Sequence, residues 1–205
     1  MKTLFRTLAI ALLYALGAQL GLFWALAPSN ISIFWPPAGL ALAAVLLFGR
    51  QALPGIALGA LGSNLWTFQA HGSVTTLSLV IATGSTLQAL VGARLLKRIA
   101  LPADAGSAGA CLSCLFRTLC ATAGAGLIAA SIGVPSLHLA GALPAEALAL
   151  TWATWWLGDF LSVLILTPPV LLIGRGLRRE AMARRPILLA LSLGAGATVL
   201  AFSIT

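Results

Sequence analysis

Charge is what this sequence has least of. Twelve Lys and Arg and four Asp and Glu make up 8% of 205 residues, while 60% are hydrophobic. A soluble domain carries about 25% charged residues, so a water-exposed surface is excluded. Histidine is nearly absent: His71 and His138 stand far apart, with no carboxylate triad and no glycine-rich phosphate loop. Enzyme signatures are therefore missing, no metal or cofactor site is indicated, and a bis-histidine haem site has little to support it. The three cysteines fall in one segment, Cys111, Cys114 and Cys120. Their odd number and the lack of a nearby histidine make buried, apolar cysteine the better reading and leave disulfide chemistry unsupported. Alternation of apolar and polar residues is also lacking, which excludes a transmembrane β-barrel.

What is present is long apolar runs. A spanning helix needs about 20 such residues. Seven stretches qualify: Leu8–Ala27, Ile33–Phe48, Ala52–Phe68, Val74–Ala93, Cys111–Val134, Ala147–Ile173 and Ile187–Ile204. The fold class is an all-α, polytopic integral membrane bundle. The second and third runs are short and carry prolines near their starts. A cleavable signal peptide is disfavoured, because Pro28 follows Ala25–Ala27 and the preceding run is longer than a signal core.

The net charge of +8 lies in clusters between spans, with no aromatic-interleaved basic surface, so nucleic acid is not the partner. With Lys2 and Arg6 in the cytoplasm, Arg50, then Arg94, Lys97 and Arg98, then Arg175 to Arg185 return to that side. The connections 28–32, 69–73 and 135–146 contain no Lys or Arg. That asymmetry is the positive-inside pattern, and it predicts a multi-pass membrane protein with a cytoplasmic amino terminus. Seven spans would leave Thr205 outside, so an appended cytoplasmic domain would require a further span. The chain reads as one membrane module (residues 1–205) that stops before a further span. Gly17 with Gly21, and Gly55 with Gly59 and Gly62, supply small-residue faces for close helix packing, within the bundle rather than across a dimer seam.

Candidate site residues follow from polar chemistry at depth. Asp159 lies near the middle of the sixth run, where an ionisable group is costly and usually faces a bundle interior. Asn64, Gln88 and Arg117 are further polar residues at depth in the spans. Arg117 and Asp159 differ in depth by about four to eight residues, roughly 6–12 Å at about 1.5 Å per residue. A network of Asp159 with Arg117, Gln88 or Asn64 is expected, against the alternative that these groups only hold helices together. Pro36 and Pro37 cannot donate hydrogen bonds and fit a helix start, leaving Asn30 to Trp35 non-helical. A start within the membrane could offer free N–H groups to an anionic or carbonyl ligand; equally, Trp35 could anchor at the interface and the prolines cap the helix. All six tryptophans fall in the outer half. Trp155 and Trp156, next to Asp159, are either interface anchors or the wall of a pocket.

Five stretches carry a resemblance: WPPAGLALAAVLLFG from Trp35, PGIALGALGSN to Asn64, GSTLQALVGARLLKR from Gly84, SIGVPSL from Ser131 and TWWLGDFLSVLILTP from Thr154. Together they resemble the first class of MASE domains, the bacterial membrane-associated sensor domains. The last, with Trp155, Trp156, Gly158 and Asp159, is the most specific. The resemblance implies a sensory module of about eight spans preceding a cytoplasmic histidine kinase or cyclic-di-GMP enzyme. It implies that Trp35, Pro36, Pro37 and Gly39, with Trp155 to Asp159, form the signal-receiving region. Gln88 departs from the family, which favours an acid there. The stimulus could be a small molecule, a partner membrane protein or the bilayer, and a homodimer is possible. The alternatives are a small-solute transporter, or a substrate-binding subunit of one, and a scaffold docking a partner through its glycine faces. The absence of an inverted repeat weighs against a self-contained carrier.

Overall fold

A computed structural model describes residues 1–25, 32–69, 74–98 and 108–174, and these are almost entirely helical. The helices are α1 (Lys2–Phe23), α2 (Pro36–Phe48), α3 (Leu53–Thr67), α4 (Val74–Arg98), α5 (Ala108–Leu139) and α6 (Leu148–Gly174). The seventh expected span, the Arg175–Arg185 cluster, Asn30, His71, Asp104 and Glu180 lie outside the described residues.

Among the described residues, five helical segments are long and apolar enough to cross a membrane, two fewer than the seven expected, because Pro36–Thr67 counts as one and the seventh run lies outside them. That segment is not a single rod. Gly49 (φ 65°) opens a 3-10 turn, Gly49–Ala52, between α2 and α3, and the chain reverses there. Along α1, Gly21 and Gly17 lie against Trp35–Leu40, while Arg6 bonds Gln51, so α2 runs antiparallel to α1. Gly55 then meets Thr7 and Ile10, and Gly59 meets Ala11 and Tyr14, so α3 runs parallel to α1. At about 1.5 Å per residue, the 13 and 15 residues of α2 and α3 span only about 20 and 22 Å, short of a hydrocarbon core of about 30 Å.

The shortfall of α2 is made up by an irregular lead-in. Pro36 and Pro37 occupy its first turn, as their fixed φ and missing donors favour. Four residues, Ser32–Trp35, precede it without helical structure and add roughly 13 Å at about 3.3 Å each. Irregular backbone is tolerated at membrane depth only where protein buries it and supplies partners. Here the Ser32 hydroxyl donates to the Phe34 carbonyl (2.7 Å) and accepts from the Phe34 N–H (3.2 Å), and the Trp35 N–H donates to the Gly158 carbonyl (3.3 Å).

The remaining helices continue the alternation. On α4, Gly84 faces Ile132 and Gly92 faces Ala125, so α4 and α5 are antiparallel. Gly133 meets Trp155 and Gly126 meets Trp156, so α5 and α6 are antiparallel too. Helix α6 therefore runs parallel to α2, with Gly158 at Ser32–Ile33, Gly39 at Ser162 and Gly174 at Leu47. Lys2, Arg6, Arg50, Arg94, Lys97 and Arg98 consequently all fall at one end of the bundle.

The interior is built from small side chains. Ala41, Ala44, Ala52, Ala60, Ala82, Ala89 and Ala93 pack with Ile10, Tyr14, Leu42, Val45, Ile56 and Val163 between α1, α2, α3, α4 and α6. A second cluster, Leu77, Ile81, Val134, Leu137 and Leu143, closes the opposite end of α4 and α5. The larger residues of α1, among them Leu12, Leu13, Leu16 and Leu20, point outward, as expected where the solvent is lipid and packing rather than water exclusion draws helices together.

The contact glycines give a direct test. A methyl group at position 158 would sit 2.6 Å from the Ser32 carbonyl oxygen, while one at position 62 meets nothing within 4 Å. Overpacking against backbone costs roughly 1–3 kcal/mol, more than the roughly 0.5–1 kcal/mol that alanine gains over glycine in a helix. Gly158→Ala should lower the melting temperature in detergent, whereas Gly62→Ala should leave it equal or higher.

Candidate functional site

The buried stripe of α6 carries Gly158, Asp159, Ser162, Val163 and Thr167, spaced to share one helix face. That face turns toward α2, and it takes Asp159 out of reach of lipid, at 2% exposure. Opposite, α4 presents Ser85, Gln88 and Ala89 at i, i+3 and i+4. Helix α1 contributes Tyr14, the lead-in Trp35, and α2 Ala38 and Ala41. These eight residues, from four helices and the lead-in, line a cavity of about 10 Å³, room for a single water molecule.

Within it, the Gln88 side chain lies against the Asp159 carboxyl, and the Tyr14 hydroxyl lies beside Ser85 and the Trp35 indole. Two buried oxygens have no partner: Asp159 Oδ1 and Gln88 Oε1. The third such atom among the described residues, Ser78 Oγ, does not line the cavity.

The start of α2 does not offer the free donors that its position suggested. Pro36 and Pro37 have no N–H, the Ala38 N–H returns to the Trp35 carbonyl (3.1 Å), and the Gly39 N–H donates to Ser162 Oγ (3.3 Å). The Gly39 carbonyl in turn accepts from Thr167 Oγ1 at 3.0 Å. This helix start is a seam to α6, not a vacant anion cradle.

Of the residues expected to gather at Asp159, the structure brings Gln88 and Trp35 to it and places Gly158 beside it. Pro36, Pro37 and Gly39 are buried just beyond. Asn64 is half-buried on α3 and does not line the cavity. Arg117 is exposed. The buried stripe of α5 begins at Ala121, and every described side chain before it is exposed or half-buried, so Arg117 lies beyond the packed part of the helix. Trp155 and Trp156 point away from the cavity, toward α5. Trp155 covers Gly133, Trp156 covers Gly126, and the Trp156 indole donates to the Ala123 carbonyl at 2.9 Å. Both are bundle fasteners, Trp156 within a stacked series Trp152–Trp156–Phe160, and Trp152 adds a bond to Ser131 Oγ at 3.1 Å. Residues not anticipated are Tyr14 and Ser85. The chain's one tyrosine in the middle of an apolar run, and a serine three positions before Gln88, were the available signals.

The MASE1 family profile matches residues 6–205, nearly the whole chain. The chain belongs to the MASE1 family. MASE1 domains are membrane-associated sensor domains, a sensory rather than a catalytic class, and the helical bundle is that of a membrane protein. No curated protein and no solved structure matches. Asp159, Trp155 and Trp156 all fall within the matched span, yet the fold divides them: the carboxylate faces α2 and α4, the two indoles face α5.

Removing the hydroxyl of Ser162 should expose the dependence of this MASE1 bundle on its seam. Membrane side-chain hydrogen bonds average about 0.6 kcal/mol, but a buried N–H left without a partner costs about 1–3 kcal/mol. Ser162→Ala should therefore destabilise by about 1 kcal/mol or more in a denaturation titration, and Arg117→Ala should leave the midpoint unchanged.

Proposed function

We propose that this chain is the signal-input module of a bacterial inner-membrane receptor, with the polar cavity at Asp159 as its sensing element. The observation that carries the reading is that four helices meet around one buried carboxylate. Occupancy of that cavity bears at once on how α1, α2, α4 and α6 pack, and a ligand shifts a conformational equilibrium only through unequal affinity for two packings. Family membership supports a cytoplasmic output domain, a histidine kinase or a cyclic-di-GMP enzyme. The basic residues gathered at one end of the bundle support a cytoplasmic amino terminus. The lipid bilayer surrounds the module, and a second copy or a partner membrane protein is compatible with its exposed apolar helix faces. Transport draws no support from the cavity, which has no room for a solute.

The test is thermal stability of the detergent-purified chain across a series of pH values and small ions, with Asp159→Asn in parallel. A condition that raises the melting temperature of the wild type and not of the variant is the expected result. Solute uptake by vesicles holding only this protein would instead establish a carrier.

A further inference from the structure

We infer that Asp159 and Gln88 form a proton-binding site, in which one proton lies between the two partnerless oxygens. A carboxylic acid and a primary amide pair as a ring: the acid O–H donates to the amide carbonyl, and the amide N–H donates to the acid carbonyl. Gln88 is placed to supply the amide of such a ring, because it shares the cavity with Asp159 and interacts with its carboxyl. The atoms without a partner, Asp159 Oδ1 and Gln88 Oε1, are both acceptors, and they are the two that the acid O–H of the ring would join. A proton on Oδ1 satisfies both. Without it, two acceptors remain unpaired at 2% and 6% exposure, each at a cost of about 1–3 kcal/mol.

The charge balance points the same way. No cationic side chain lines the cavity; the groups facing Asp159 are Tyr14 from α1, Trp35 and Ala38 from α2 and its lead-in, and Ser85 and Gln88 from α4. Of these, Tyr14 alone can titrate, and its hydroxyl lies beside Ser85 and Trp35. On α5, Arg117 is exposed and does not neutralise the site. A single water in the cavity could donate to both oxygens but would leave a net negative charge in a low-dielectric interior, where an uncompensated ion is neutralised by taking up a proton. The proton comes from solvent and the site passes from one negative charge to none. Losing it as pH rises puts a charge between α2, α4 and α6, and repacking follows. That last step rests on the cavity being the module's sensing element; proton binding itself does not.

The chain has two aspartates, Asp104 and Asp159, so aspartate labelled with carbon-13 at the side-chain carboxyl gives two signals with Asp104 as an internal reference. In lipid vesicles, infrared spectra across a pH series should show one labelled protonated-acid band at neutral pH. That band should shift in heavy water, disappear as pH is raised and be missing in Asp159→Asn. In Gln88→Leu it should move to the frequency of an acid lacking its amide partner. Replacing sodium by choline should change nothing. Two ionised labelled carboxylates at neutral pH would overturn the inference, and so would a band that sodium removes, which would identify an alkali-cation site instead. Intrinsic tryptophan fluorescence over the same series, reporting from Trp35 at the cavity and from Trp155 and Trp156 between α5 and α6, separates the two readings. A titrating band with unchanged fluorescence keeps the proton site and refutes the sensing role.

Discussion

Lipid offers no hydrogen bonds, and this constraint shapes the bundle more than any single contact. Each polar group at depth must find its partner in protein. Most do so locally: Ser63, Thr67, Thr83, Thr86 and Thr154 all donate to the carbonyl four residues back, which hides a hydroxyl without help from another helix. The irregular lead-in before α2 cannot solve its problem that way, so it borrows the Gly158 carbonyl. Against this background of satisfied groups, the deficit at Asp159 and Gln88 is conspicuous. It sits where α1, α2, α4 and α6 converge, not at a frayed end.

The sequence was most legible where covalent chemistry limits the backbone. Pro36 and Pro37 marked the start of α2 because proline can occupy a first turn and little else in a helix. Gly17, Gly21, Gly55 and Gly59 all proved to be helix contacts within the bundle, and Asp159 proved to be buried. The residue facing each neighbour was harder to read. In helices apolar all round, hydrophobicity does not distinguish the face toward protein from the face toward lipid, and small residues mark the inside instead. Tyr14 was lost in this way, a large side chain on the same α1 face as Gly17 and Gly21. Arg117 is hard to place for a related reason: the sequence gives its depth along α5, but not where neighbouring helices stop covering that helix. The tryptophans beside Asp159 show the same limit at finer scale, since adjacent residues on a helix point about 100° apart. Sharing a motif with Asp159 did not bring Trp155 or Trp156 into its cavity.

Span counting has its own lesson. Helices α2 and α3 fall short of a membrane crossing when measured singly and exceed one when joined. Only the order of their contacts along α1 shows the reversal at Gly49. A glycine with positive φ and a 3-10 turn accomplish in four residues what a polar loop does elsewhere.

The parallel pairing of α2 and α6 has a kinematic consequence. Trp35 N–H to Gly158 O, Gly39 N–H to Ser162 Oγ and Thr167 Oγ1 to Gly39 O tie the two helices at successive heights. Lower down, Leu47 packs against Gly174. Axial sliding of one helix past the other would break all three bonds together, so the pair translates and tilts as one beam. The compliant surfaces are then those against α1, α4 and α5, made of alanine, glycine and indole contacts. A displacement that begins at the Trp35 end of this beam is carried along α6 to Thr167, about 14 Å beyond Gly158, where Pro168 and Pro169 interrupt the helix's own hydrogen bonds.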